Sequence, residues 1–337
     1  MNDQRRVPSL DGLRGLSILL VILGHLVETA RFPHLLDPLA GLGFIGVTTF
    51  FVVSGYLITA LLMQELARTG DVSLARFYLR RALRILPVAY VYIGVVAALA
   101  ALKLIALRPH DLPFALLFLM DYHHDRAWYL GHFWSLSVEE QFYALWPPLI
   151  LLLGIDKARV AALALFVFVT LSPSVTPRLF PSLDPRVHLP TGAGSIAAGC
   201  LLALWFDWLG ARRVFASRWW SAALVGVVSL QIYLWNTRRE IHGVNVAIDI
   251  LIALFILRCL VVPKTLVGAI LASPMLTTVG TLSYSIYVWQ QLFLNRASPN
   301  SVFPFNLLLA LATAVVAHLV VERPFLRLKT ALALPSK

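Results

Sequence analysis

A chain of 337 residues that is 59% hydrophobic and 13% charged departs from soluble domains, which carry roughly 25% charged residues. Apolar runs of about twenty residues, the length a helix needs to cross a bilayer, recur from end to end and exclude a water-soluble globule. The formal net charge of +11 does not point to nucleic acid. The basic residues fall mainly in short loops between apolar runs, where orientation rules put them, and no nucleic-acid-binding motif accompanies them.

Arg5 and Arg6 precede the first apolar run, as in a signal peptide, but the run contains Arg14 and His25 and no small-residue cleavage site follows. It is read as a retained first helix, 13–30. Further spans are predicted at 42–63, 85–103, 138–154, 158–171, 190–209, 219–236, 244–262, 275–294 and 303–321. The fold class is therefore all-α, a polytopic bundle of about ten membrane helices. The piece 112–120 is about half the required length and is read as re-entrant or interfacial. The loop 64–84 carries Arg68, Arg76, Arg80, Arg81 and Arg84, and the tail carries Arg323, Arg327, Lys329 and Lys337. Both are expected in the cytoplasm, and two cytoplasmic ends require an even number of spans. Loops 155–157, 210–218 and 263–274, with Lys157, Arg212, Arg213, Arg218 and Lys264, then fall on the same side, while Arg238 and Arg239 dissent. Segment 104–137 becomes a long outer loop. No linker or second soluble region is visible, so residues 1–337 read as one transmembrane domain, with any chemistry inside the bundle. Cys200 and Cys259 lie in apolar runs without metal or disulfide spacing.

Ionisable groups within membrane helices cost about 2.5–3.5 kcal/mol each on insertion scales, so those present are site candidates. Arg14 and His25 are eleven residues apart, close to three turns, and share a face. They stand roughly 16 Å apart along the axis, with Arg14 near the cytoplasmic edge and His25 past mid-depth. Arg14 can be a snorkelling anchor, and His25 can be a histidine satisfied by interhelical hydrogen bonds. As a functional group, His25 can act as a general base on an attacking hydroxyl. Ser54, in the second helix beside Gly55, reads as packing unless a base lies next to it. Arg81, Arg84 and Arg80 crowd one helical face, which suits a phosphate-bearing ligand, with lipid headgroups as a competing anion. Ser137 and Glu140 form a capping-box pattern. Glu139 has no such explanation and is the better candidate for orienting or charging His25. Asp121-Tyr122-His123-His124-Asp125 lacks the spacing of a zinc helix and is read as a solvated outer loop; no metal site is expected.

Together these stretches resemble the membrane acyltransferase-3 family. Five blocks match in order: Leu10-Asp11-Gly12-Leu13-Arg14-Gly15 with His25; Phe50 to Gly55; Arg81 to Arg84; Phe133 to Tyr143 with Trp146-Pro147; and Ser283 to Trp289 with Glu322-Arg323-Pro324. The resemblance covers nearly the whole chain. It implies transfer of an acyl group, commonly acetyl, from a cytoplasmic acyl-CoA (acetyl-CoA in the usual case) to a hydroxyl of a carbohydrate or glycosylated acceptor. The plasma membrane, a bacterial inner membrane, is the implied location. Arg14 and His25 match the family's activity-linked pair, and Asp11 belongs to the same block. Arg81 and Arg84 match its double-arginine block. One departure stands out: relatives often have histidine directly after the late tryptophan, where this chain has Gln290, which cannot act as a base near neutral pH.

The mechanism expected from these residues places donor phosphates on Arg81, Arg84, Arg80 and Arg14. His25 acts as base, Glu139 holds or charges it, and Ser54 or Trp134 stabilises an oxyanion. Two alternatives come from other classes. A proton-coupled transporter would use Arg14 and His25 as a relay, although no paired repeat is visible. A non-catalytic scaffold would have no need for clustered polar residues.

Overall fold

The computed structural model describes residues 7–27, 29–179, 189–215, 217–239, 241, 243–296 and 301–333, without the side chains of 172–179, 189–191 and 329–333. The orientation signals expected from Arg5, Arg6, Lys337 and the Lys329 side chain lie outside the described residues. Those described form helices α1 (Pro8–Leu26), α2 (Leu42–Thr69), α3 (Leu74–Ala101), α4 (Asp111–Leu116), α5 (Trp128–Gly131), α6 (Phe133–Leu179) and α7 (Leu189–Leu204). They continue with α8 (Phe206–Gly210), α9 (Arg218–Thr237), α10 (Val244–Val261), α11 (Leu266–Leu271), α12 (Pro274–Gln290), α13 (Phe305–Ala317) and α14 (Arg323–Ala333). Short 3-10 turns occupy His34–Leu39 and Met120–Tyr122, and a π-helical turn occupies His318–Glu322.

Local chemistry sets the helix ends. Pro8 opens α1 at its first turn, where a missing N–H costs nothing. Ser273 caps α12 by accepting from the Leu276 N–H, with Pro274 following. Gly70 closes α2 in the left-handed conformation, at φ 75°. The predicted break between spans 138–154 and 158–171 coincides with Gly154, at φ 73° and ψ 167°, which bends α6 in its interior.

The centre of the bundle is α1, which packs chiefly on α12 and α2, while α7 covers the far side of α2 and also meets α6 and α10. The seams of this layer are backbone on backbone. A Cβ at Gly280 of α12 would lie 1.8 Å from the Asp11 carbonyl oxygen, and one at Gly12 of α1 would lie 1.7 Å from that of Leu271. Across the α2–α7 seam, a Cβ at Gly55 would sit 2.0 Å from the Ile196 carbonyl oxygen. Small residues are how membrane helices approach this closely, since apolar surface gains nothing by leaving lipid.

The chain is a helical membrane protein, but the expected count of ten spans is not reproduced. Among the described residues, five helical stretches are long and apolar enough to cross a membrane: Pro8–Leu26, His34–Thr69, Leu74–Ala101, Val244–Val261 and Phe305–Leu328. Every predicted span overlaps a helix, yet those at 13–30 and 275–294 run past the ends of α1 and α12, α7 and α12 reach only 16 and 17 residues, and α6 is interrupted at Gly154. The piece 112–120 forms α4, of six residues, and the start of a 3-10 turn, too short to span.

The connection after α3 is not the solvated loop its polar residues suggest. Asp111 is 1% exposed and accepts from the Arg108 N–H at 2.7 Å, while His123 Nε2 lies 2.9 Å from its other oxygen. Asp121 is buried and accepts from Gln141 Nε2 of α6 at 2.9 Å. Asp111 thus ties the connection to itself and Asp121 pins it onto α6, because buried polar groups must find partners.

Candidate active site

Two helices define the site. α12 runs parallel to α1, and each polar residue on the shared face of α1 finds its partner there. At one level, Arg14 Nη2 donates to Ser283 Oγ at 3.0 Å. Three turns on, His25 Nδ1 donates to Gln290 Oε1 at 3.1 Å. Ser283 and Gln290 are seven residues apart, two helical turns, and so share a face as Arg14 and His25 do.

The arginine level gathers side chains from α1, α2, α3, α6, α12 and the π-helical turn. Asp11 Oδ1 approaches Arg14 Nη1 at 3.9 Å, a long ion pair. The charges acting on Arg14 also include Arg84, Glu322 and Glu139. Glu322, 3% exposed, accepts from Ser285 Oγ at 2.6 Å and lies 2.8 Å from His318 Nδ1. Ser54 Oγ donates to Glu139 Oε1 at 2.6 Å and accepts from the Tyr143 hydroxyl at 2.7 Å. The Arg81 guanidinium stands 4.5 Å above the Tyr143 ring, within cation–π range. Arg81 and Arg84 lie in each other's field, and among the described residues neither makes a hydrogen bond or an ion pair within 4.0 Å. These two neighbouring half-buried guanidinium groups lie in the field of Glu322, Glu139 and Glu140 yet are bound to none of them, and guanidinium donors left in this way can bind phosphate oxygens.

Among the described residues, the histidine level is aromatic and almost free of carboxylates. The Trp128 ring meets that of His25 edge-on, with centroids 5.4 Å apart. Trp128 is fixed by two reciprocal bonds, from its Nε1 to the Gln291 carbonyl at 2.9 Å and from Gln291 Nε2 to its own carbonyl at 2.6 Å. His132 Nε2 donates to the Val288 carbonyl at 3.0 Å. Ser135 and the Tyr287 hydroxyl are hydrogen-bonded. The charge of Arg296 reaches His25.

Several sequence expectations change on this geometry. Glu139 neither holds nor charges His25; it bonds Ser54 and faces Arg81, Arg14 and Arg84. Antiparallel packing of α2 on α1 pairs Gly43 with Gly24 and Gly46 with Ser17, and so carries Ser54 to the arginine level, away from His25. The expected capping box is absent. α6 begins at Phe133, a turn earlier, so Ser137 lies within the helix, donating to the Phe133 carbonyl at 2.8 Å and accepting from the Met120 N–H at 3.0 Å. Glu140 is left with one buried oxygen without a partner. Arg80 turns from its neighbours to pair with Glu65 at 3.2 Å. Trp134 packs edge-on against Phe51 at 5.9 Å and donates no hydrogen bond among the described residues.

Gln290, Trp128, Tyr143, Ser283 and His132 were not named as site residues from sequence. The seven-residue interval from Ser283 to Gln290 was the legible signal; the others lie near the site only through tertiary packing. Among the described residues no group of three or more His, Cys, Asp or Glu could hold a metal ion. A cavity of about 390 Å³, lined by apolar side chains including Phe166, Trp205, Trp208 and Leu254, lies among α6, α7, α8 and α10, and no candidate residue lines it.

Comparison with known proteins adds the following. Residues 7–321 match the acyltransferase-3 family model, described as an acyltransferase domain. SACOL0978 of Staphylococcus aureus (strain COL) is 28% identical over 367 residues, covering 95% of this chain and 57% of that protein. The O-acetyltransferase OatA of Staphylococcus aureus (strain NCTC 8325 / PS 47) is 28% identical over 362 residues, covering 96% of this chain and 58% of OatA. The chain thus spans a little over half the length of these relatives. No solved structure matches it.

Proposed function

The chain belongs to the acyltransferase-3 family, and from that premise we propose that it is a membrane O-acetyltransferase drawing on acyl-CoA and acting on a hydroxyl of a carbohydrate or glycosylated acceptor at the plasma membrane. The observation that carries the reading is the pairing of α1 with α12: one helix holds a guanidinium at one level and an imidazole roughly 16 Å along, each fixed by a neighbour. In this reading the donor phosphates rest on Arg81, Arg84 and Arg14 on the cytoplasmic side, and the thioester arm extends towards His25. An acceptor hydroxyl attacks the thioester carbonyl while His25 Nε2 takes its proton; the new O–C bond forms, the C–S bond breaks, and the departing thiolate takes the proton back from His25. Glu139, Ser54 and Tyr143 then form a relay that holds the arginine level in register rather than serving the base.

The test uses the purified protein with acetyl-CoA and a panel of sugars and glycosides, with transfer followed by mass spectrometry. His25→Gln abolishes transfer while the protein remains folded and binds donor. Arg81→Ala combined with Arg84→Ala raises the donor KM about tenfold or more, as loss of charge-assisted phosphate contacts requires. Full transfer by His25→Gln overturns the base role, and an unchanged donor KM in the double variant overturns the phosphate role.

A further inference from the structure

We propose that Gln290 is a positioning residue: it holds His25 in the tautomer that carries its proton on Nδ1, so that Nε2 is the atom that accepts the proton. The inference rests on the base role of His25 set out above and adds how that base is prepared. An amide oxygen can only accept, so the imidazole nitrogen 3.1 Å from Gln290 Oε1 is the donor. A neutral imidazole protonated at Nδ1 presents its lone pair at Nε2.

Three further observations agree. Gln290 is 0% exposed, and its own Nε2 is buried without a partner. A glutamine kept only for packing would be replaced at lower cost by an apolar residue of the same shape, since an unsatisfied buried amide is penalised. The edge-on Trp128 ring, itself tied twice to Gln291, limits rotation of the imidazole. Among the described residues, the ionisable groups acting on His25 are Arg296 and His132, neither of which is a carboxylate. A neutral amide therefore orients the ring while favouring the imidazolium less than a carboxylate would, and a proton taken by Nε2 is returned readily to the leaving thiolate.

Two substitutions and one spectrum test this. Gln290→Leu lowers kcat by about tenfold or more, within the range a general base contributes, and leaves the donor KM unchanged because the phosphates bind at the other level. Gln290→Glu restores activity with the acidic limb of the pH–rate profile moved to higher pH, because a carboxylate on Nδ1 favours the imidazolium; a residue that merely fills space would produce no such displacement. Nitrogen NMR of labelled His25 in the wild-type protein shows Nδ1 protonated. Wild-type kcat in Gln290→Leu, a Gln290→Glu profile superimposable on the wild type, or a spectrum with the proton on Nε2 each overturns the proposal. If Gln290→Leu does not fold, the Glu variant and the spectrum decide. His25→Gln separates the two readings: its activity rejects the base itself, whereas a dead His25→Gln beside an unimpaired Gln290→Leu rejects only the positioning role.

Discussion

At the scale of single residues, the site is built from polar side chains whose partners come from distant parts of the chain. Asp121 offers a test of that logic outside the membrane. Burial pushes its carboxyl above the usual carboxylate range, against the hydrogen bond from Gln141 and the charge of Arg126. The folded protein therefore keeps a proton that the unfolded chain, titrating near about 3.9, has released. The stability this confers is full below the unfolded value and is lost as pH rises through the raised one. Asp121→Asn mimics the protonated form and retains an oxygen for Gln141. It is expected to melt at a higher temperature than wild type near pH 7, the difference closing at about pH 4. Thermal unfolding in detergent at the two pH values measures this, and a lower melting point at neutral pH would show that the charge is worth keeping.

Among helices, contact is decided by what is missing from their surfaces. Gly280 and Gly12 bring α12 and the turn of α11 onto the backbone of α1. Gly280→Leu should cost about 3 kcal/mol or more, because the obstacle is a carbonyl oxygen and not a side chain that can swing away. Gly94, in the middle of α3, has nothing within 4 Å of a Cβ, so Gly94→Ala should instead stabilise by about 0.5–1 kcal/mol through helix propensity. Melting curves of the two variants, compared with wild type, check the contrast; equal effects would mean that the seam is not tight. Much of this scale was legible in sequence. Apolar runs located the helices, and the break near 155–157 was readable because Gly154 and the charges after it end a hydrophobic stretch. Which helix faces which was not legible, since the glycines that fix the α1–α12 and α2–α7 seams carry no address for their partner. For that reason Glu139 was assigned to the wrong level.

For the molecule as a whole, the arrangement of α1, α2, α7 and α12 puts an arginine-rich level and a histidine level at two depths. The charge distribution was read from sequence as an orientation, with Arg213 inside and His124 outside. Both side chains are exposed and both native cysteines are buried, so single cysteines can report sidedness with little background. His124→Cys should react with a membrane-impermeant maleimide on intact cells, and Arg213→Cys only after lysis; the reverse order would invert the topology and place the donor arginines outside. The Arg14–His25 face is legible in an eleven-residue interval; on α12 the sequence singles out Gln290 only as a departure after Trp289, and its seven-residue spacing from Ser283 gains meaning only once α12 is seen to face α1.

Helices in contact backbone to backbone have no cushion of side chains on which to slide. With α1 clamped on one flank by α12 and on the other by α2, the rocking that would open the bundle to alternate sides of a bilayer is mechanically blocked along this axis. On the proposed chemistry the helices hold their spacing while substrates come to them, so the sugar waits at its own side and the flexible acyl arm makes the journey.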